Sequence, residues 1–452
     1  MGKRVLIATW GNPSFWNEVE YNFCGQIHKS KTSLLPLIKA LNPDLVIIFG
    51  LDTIADINPT KELTYKSLKE SAEDKIRKFC QENGIFNYLP EKSVIIVIPP
   101  GGGYFPSSTF LGKLQDFYHV VLHELITIFI EQIEIQHSTK YPDKNKKDFL
   151  EIHLDLTHGI NFMPALTYRA IKELVQIIDI FSNVHFFVYN SEPFVFNSSN
   201  RSPLTIHPVE EETKIRPHFP HEYIEDNGSN KISLLKPITD NYGKKKALIG
   251  SNITPLDINT FFCALFYGLP LAIYTFFIEP NELKIIIDNA TNLFFQKIEV
   301  SKENTVVIVK RELSFTEEFA IINKAYLLAE LLSNQGITQK DDISFDAFTA
   351  MADSVFKKFL NIRATIFNEK HYFSKYIFDK SEPEWKSVID ICQSDLNGKK
   401  SQPNPRNFIA HAGLEKTLTM IRKEDGNFFL KYDKTKIDII KKIANKAIKL
   451  KD

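Results

Sequence analysis

Short, unbroken apolar runs that stop at small or polar turn residues constrain this chain more than any other feature. Val5-Leu6-Ile7-Ala8 leads into Trp10-Gly11-Asn12-Pro13, and Leu45-Val46-Ile47-Ile48-Phe49 stops at Gly50. Val94 to Ile98 is broken by Pro99-Pro100-Gly101-Gly102-Gly103, and Ile152 to Leu156 and Val184 to Tyr189 repeat the pattern. A strand with one face in water alternates apolar and polar residues, so a strand apolar throughout must be covered on both faces. Helical stretches fall between the runs, from Tyr65 to Gln81 before Gly84, from Leu114 to Gln136, and from Pro164 onward.

Strands alternating with helices predict a parallel sheet with helices on both faces, a Rossmann-like α/β domain over residues 1–196. In open sheets of this kind ligands bind at the strand C-termini. The loops there are Trp10 to Pro13, Gly50 to Thr53, Gly101 to Gly103 and, most informative, Asp155-Leu156-Thr157-His158-Gly159-Ile160-Asn161. That last loop runs straight into a helix, whose free N–H groups favour an anion. Thr157, His158 and Asn161 add a hydroxyl, an imidazole and an amide around Gly159. No loop carries G-x-G-x-x-G, which leaves a dinucleotide site unsupported.

Residues 197–250 change to Pro, Asn, Ser and charge and end in Lys244-Lys245-Lys246, which predicts a connector, with room for a small hairpin. Residues 251–452 read as an all-α domain. Ser314 to Glu317 and Ser381 to Glu384 have the spacing of capping boxes. Helices are expected from Asp346 to Phe359, Arg406 to Ile421 and Lys436 to Leu450.

Within the helical half, Asn404-Pro405-Arg406-Asn407-Phe408-Ile409-Ala410-His411 stands out. Asn404 suits an N-cap, and Pro405 suits the first helical position, where its missing N–H is no loss. At about 100° per residue Asn407 and His411 share a face, and Arg406 reaches across from one side. Arginine, asparagine and histidine at one helix start can hold a phosphate and move a proton. Arg216 with His221 and Arg201 with His207 have similar spacing, but prolines at 203, 208, 217 and 220 forbid a regular helix there. Formal charge is zero, yet Lys399, Lys400, Arg406, Lys416, Arg422 and Lys423 gather around the motif. The singly scattered Cys24, Cys80, Cys263 and Cys392 show no metal-ligand spacing and fit a reducing cytoplasm. The start at Met1 has no signal-peptide pattern, and Gly268 and Pro270 interrupt the most apolar later stretch, so no membrane span is expected.

A Rossmann-like domain bearing Asp155 to Asn161, followed by a helical domain bearing Arg406 to His411, resembles the CRISPR-associated CARF–HEPN ribonucleases of type III systems. The resemblance covers nearly the whole chain, with both motifs in the family's order. It implies that Arg406, Asn407 and His411 are catalytic and that Gly11, Asn12, Thr157, His158, Gly159 and Asn161 line a cyclic-oligoadenylate site. It further implies a homodimer or larger homo-oligomer and an activator that is commonly the four-adenylate ring. The substrate would be single-stranded RNA, cut without a metal or other cofactor to leave a 2′,3′-cyclic phosphate and a 5′-hydroxyl. The competing expectations are a nucleotide sensor whose helical half signals without cleaving, and an oxidoreductase, which the missing glycine fingerprint disfavours.

Overall fold

The computed structural model describes residues 3–57, 63–133, 149–194, 202–226, 228, 230–238, 247–248, 253–393 and 402–449. The chain forms two compact units built from interleaved segments. One takes Met1–Arg216, Leu235–Ala247 and Ala290–Thr316; the other takes Pro217–Leu234, Leu248–Asn289 and Glu317–Asp452. Expected boundaries near 196 and 250 cut the chain into three consecutive pieces, whereas the first unit draws on later sequence twice.

The first unit opens with β1 (Lys3–Thr9), a hairpin of β2 (Val19–Phe23) and β3 (Gln26–Ser30), α1 (Leu34–Leu41), β4 (Leu45–Phe49), α2 (Tyr65–Glu82) and β5 (Val94–Val97). A second hairpin, β6 (Gly103–Phe105) and β7 (Ser108–Leu111), precedes α3 (Gln115–Glu131), β8 (Leu150–Asp155), α4 (Phe162–Ile178), β9 (Val184–Ser191) and β10 (Leu204–Glu212). The main sheet is 8-stranded in the order β3-β2-β10-β9-β8-β1-β4-β5, and its β9-β8-β1-β4-β5 portion is parallel throughout. Val5 lies opposite Leu45 on one side and Ile152 on the other, and all three are buried. The chain runs outward from β1 to β4 and β5, then returns to set β8 on the other side of β1. At that reversal the connections leave β1 and β8 in opposite directions, which opens a crevice at their C-terminal ends. The loops after β1 and β8 meet there.

The expected connector is partly sheet. β10, which falls within it, pairs antiparallel with β9 and parallel with β2, so Ile206 is buried. β11 (Ser233–Pro237) and β12 (Ala247–Leu248) form a 3-stranded sheet with a strand from much later in the chain. Lys244, Lys245 and Lys246 lie outside the described residues.

The later sequence supplies α5 (Pro255–Tyr267), α6 (Pro270–Thr275), α7 (Pro280–Gln296), β13 (Ile298–Glu303), β14 (Val306–Arg311), β15 (Leu313–Phe315) and α8 (Glu317–Ser333). After these come β16 (Asp342–Ser344), α9 (Phe345–Ala350), α10 (Leu360–Tyr376), β17 (Lys386–Ser387), α11 (Val388–Gln393), α12 (Pro405–Ala410), β18 (Thr419–Glu424), β19 (Asn427–Tyr432) and α13 (Ile437–Lys449). β13 and β14 belong to the first unit, where β14 runs parallel to β7. The second unit is helical around α8, whose residues from Phe319 to Leu332 are almost all buried, as suits a core helix. It also carries a 4-stranded antiparallel sheet, β16-β19-β18-β17, within a stretch expected to be helical.

Several expected helix signals are spent otherwise. Ser314 sits in β15 and its hydroxyl donates to Asp116, while Ser381 donates to the Ile377 carbonyl, so neither opens a capping box. The helix expected from Asp346 to Phe359 ends at Ala350, and the one expected from Arg406 to Ile421 ends at Ala410. No described helix is long and apolar enough to cross a membrane.

Candidate functional site

Helix α12 is built as its sequence dictates at the start and differently at the end. The Asn404 Oδ1 accepts the backbone N–H groups of Arg406 at 2.9 Å and Asn407 at 3.3 Å, and Pro405 occupies the first turn. After only 6 residues the chain turns left-handed at Ala412 (φ 49°) and Gly413 (φ 85°). The Gly413 N–H then donates to the Phe408 carbonyl at 2.9 Å, a Schellman closure that prevents further helix. Phe408 is fully buried and pins the short helix, while Arg406, Asn407 and His411 are exposed around it.

Asn407 and His411 line a cavity of about 520 Å³, with Asn404, Glu369, Tyr372 and Lys416 among its other walls. The His411 backbone N–H donates to the Asn407 carbonyl at 3.0 Å, which closes the last turn. Its side chain is about half-exposed, and its Nδ1 lies 2.8 Å from Oε1 of Glu369 on α10. Lys416 holds its ammonium 4.9 Å from the centre of the Tyr372 ring. Burial works against that ammonium, but the Tyr372 hydroxyl, the Cys392 thiol and the Glu369 carboxylate outweigh it, and the Lys416 pKa is raised. The cavity therefore joins an imidazole, a carboxylate and a cation, while Arg406, exposed one position before Asn407, is not among its lining residues. Such a set can bind a phosphodiester and exchange protons with it.

The other basic residues near the motif divide. Arg422 packs against the Trp385 and Phe429 rings, and Lys423 lies over Phe428. Lys399 and Lys400 lie outside the described residues. The similar arginine–histidine spacings elsewhere form no comparable site: His207 pairs with Glu192 at 3.2 Å, and the His221 ring packs on Phe266. Arg201 is outside the described residues.

In the first unit, the loops after β1 and β8 are joined by a hydrogen bond from the Gly11 N–H to the His158 carbonyl at 2.9 Å. Asn12 is turned inward on its own loop, its Oδ1 accepting the Ser14 N–H at 3.1 Å. Thr157 donates its N–H to the buried Asp155 carboxylate and accepts the Ser191 N–H on its hydroxyl. Gly159 has a packing reason to be glycine, because a Cβ there would collide with Thr9 Oγ1 and the Pro164 ring.

His158 is held more tightly than a loop histidine needs to be. Its ring stacks on Trp16 with centroids 3.9 Å apart, and its Nε2 accepts the Ser33 N–H at 3.3 Å. Burial pulls its pKa down to about 4, so the imidazole is neutral near pH 7. Asn161 is exposed at the start of α4 with φ 50° and ψ −111°, a positive-φ conformation outside the left-handed helical basin and unfavourable for a residue with a side chain. Its side chain makes no capping bond to α4, so the helix start is left without a side-chain cap.

The remaining strand-end loops are locked from below. Asp52, fully buried, receives the Arg311 guanidinium at 2.8 Å, the Tyr65 hydroxyl at 3.1 Å and the Gly101 N–H at 2.6 Å. Among the described residues no group of three or more His, Cys, Asp or Glu side chains could hold a metal ion. Sequence reasoning missed Glu369 and its helix α10. The signal was masked because Glu369 occupies a core position, between the buried Ile366 and Phe373, where an apolar residue would have completed the helical stripe.

Comparison with known proteins puts the two sites in separately matched stretches of the chain. The profile for the CARF domain of CRISPR system endoribonuclease Csx1 matches residues 5–193, and the profile for the HEPN domain of the same endoribonuclease matches residues 353–434. The first range contains the loops after β1 and β8; the second contains Glu369 and α12. The CRISPR system endoribonuclease Csx1 of Methanocaldococcus jannaschii is 31% identical over 443 residues, covering 93% of this chain and 86% of that protein.

Proposed function

The chain belongs to the Csx1 family of CRISPR system endoribonucleases, with an N-terminal CARF domain and a C-terminal HEPN region, and from that premise we propose how it works. It is a metal-independent endoribonuclease of single-stranded RNA, acting in the cytoplasm and switched on when its CARF domain binds a cyclic oligoadenylate. The observation that carries the proposal is the capped, abruptly ended helix α12, which sets Asn407 and His411 at one cavity and Arg406, exposed, one position before Asn407.

RNA brings its own nucleophile, the 2′-hydroxyl, so a proton acceptor and an electrostatic clamp suffice. His411 takes the 2′-hydroxyl proton as the P–O2′ bond forms. The P–O5′ bond breaks, the 5′-oxygen takes a proton from water as it leaves, and His411 returns its own proton to solvent before the next turnover. Arg406 holds the phosphate oxygens as charge builds, a role its planar fork suits better than a lysine would. Asn407 donates to the same phosphate from the next position. The products are a 2′,3′-cyclic phosphate and a 5′-hydroxyl. Two copies of the chain pair so that their α12 helices form one composite site, and Gly11, Asn12, Thr157, His158, Gly159 and Asn161 frame the activator.

An RNase assay across cyclic oligoadenylates of different ring size, with and without a chelator, tests this proposal. Cleavage should need one ring, survive chelation and fall by at least ~10²-fold in Arg406→Ala and in His411→Ala, the scale of losing one transition-state donor. Near wild-type turnover in either variant would overturn the assignment of the catalytic pair, and loss of activity on chelation would overturn the mechanism.

A further inference from the structure

The structure assigns Glu369 as the residue that positions His411 for proton transfer, an inference that rests on the proposed role of His411. Nothing in the comparisons names it, and three observations point to it independently. First, Glu369 lies on the buried stripe of α10 with Ile366 and Phe373, its side chain only 9% exposed. A carboxylate at a core position is unfavourable without a partner. Second, the partner it has is the His411 Nδ1 at 2.8 Å, a distance in the range of charge-assisted hydrogen bonds. Third, both side chains line the same cavity as Asn407.

The chemistry of that contact decides which nitrogen works. A carboxylate has no proton to give, so the His411 Nδ1 carries the hydrogen and donates it to Glu369. The Nε2 of the same ring then carries the lone pair, and it is Nε2 that takes the proton of the 2′-hydroxyl. Once it has done so, the imidazolium keeps its Nδ1–H on Glu369, and the carboxylate faces the new positive charge. The left-handed turn at Ala412 and Gly413 holds the histidine at the end of α12 instead of within a longer helix.

The other titratable groups on this cavity do not compete for the ring nitrogen. Glu415 accepts the N–H groups of Thr417 and Leu418 at 2.7 and 3.1 Å, and Lys416 lies over Tyr372, whose hydroxyl faces Cys392. Glu369 is thus a positioning residue, acting through His411.

The test uses full-length Glu369→Leu, which keeps the packing volume, and Glu369→Gln, which keeps an acceptor but no charge. Activity is measured at saturating activator, alongside thermal melting and imidazole ¹⁵N spectra of histidine-labelled protein, with His411→Ala identifying the His411 signals. Glu369→Leu should lower kcat between about 10- and 100-fold with KM for RNA nearly unchanged. That is less than the ~10⁴-fold loss at a fully buried triad carboxylate, because water reorients a half-exposed ring. The Nδ1–H signature should be lost in the leucine variant, and Glu369→Gln should fall between the two. Wild-type kcat in Glu369→Leu, or a lost kcat with the tautomer signature intact, would overturn the proposal. The spectra report on the pair whether or not the chain cleaves RNA. Inactive wild-type protein with an intact signature would therefore sink the ribonuclease mechanism, whereas an absent wild-type signature would sink the assignment of Glu369.

Discussion

Removing the Arg311 guanidinium from beneath the strand-end loops should be among the most damaging single changes in the first unit. Arg311 and Asp52 have side chains only 1% and 0% exposed, so neither can turn to water when its partner is lost. Arg311→Ala leaves the Asp52 carboxylate buried with only the Tyr65 hydroxyl and the Gly101 N–H. Breaking a buried ion pair from one side costs roughly 3–5 kcal/mol, and the two remaining donors place the expectation near the lower end of that range. For a unit of this size each kcal/mol moves the melting temperature by roughly 2–4 °C, so a drop of roughly 6–12 °C is expected. Removing both charges in Arg311→Met with Asp52→Asn should recover at least half of it, because the penalty comes from an unpaired charge and not from lost attraction. Thermal melting followed by circular dichroism, at one pH and one scan rate, gives both values. A single variant within about 1 kcal/mol of wild type, or a double variant no better than the sum of the single changes, would refute the reasoning.

Two further outcomes concern β8 and the loop that follows it. His153 and His158 are both pulled down to about 4 by burial, against 6.5 in the unfolded chain. The unfolded state alone takes up their protons between those values, so stability is full above pH 6.5 and falls as the pH drops toward 4. Each contributes at most roughly 3 kcal/mol to that loss. His158→Gln should therefore show a shallower fall in urea midpoint from pH 7.5 to 4.5 than wild type, and parallel curves would contradict the burial argument. Asn161→Ala should raise the activator concentration needed for half-maximal cleavage while leaving turnover at saturation largely intact, since its helix start and α12 lie in different units. Lost turnover at saturation with normal activator binding would show that this loop is not the sensor.

What the sequence determined on its own is local. The all-apolar runs at Val5, Leu45, Val94, Ile152 and Val184 are buried parallel strands because a strand without a polar face has only one stable setting. Asn404 and Pro405 started α12 where expected, since a cap and a preset φ act within one turn. The tertiary structure decided everything that depended on a distant partner. The β2–β3 hairpin turns through Cys24 and Gly25 with φ 50° and 78°, a two-residue turn without the Asn-Gly or Asp-Gly signal that announces one. The helix expected to run to Ile421 stopped at Ala410, because Thr419 to Glu424 pair with β19 and the intervening turn is left-handed. Arg311 returned to the first unit to meet a carboxylate 259 residues earlier. Glu369 met His411 across 42 residues, and by taking a core position it erased the periodicity that would have revealed its helix. Periodicity and caps are set by neighbours a few residues away, whereas a buried charge is tolerated only where folding delivers its partner.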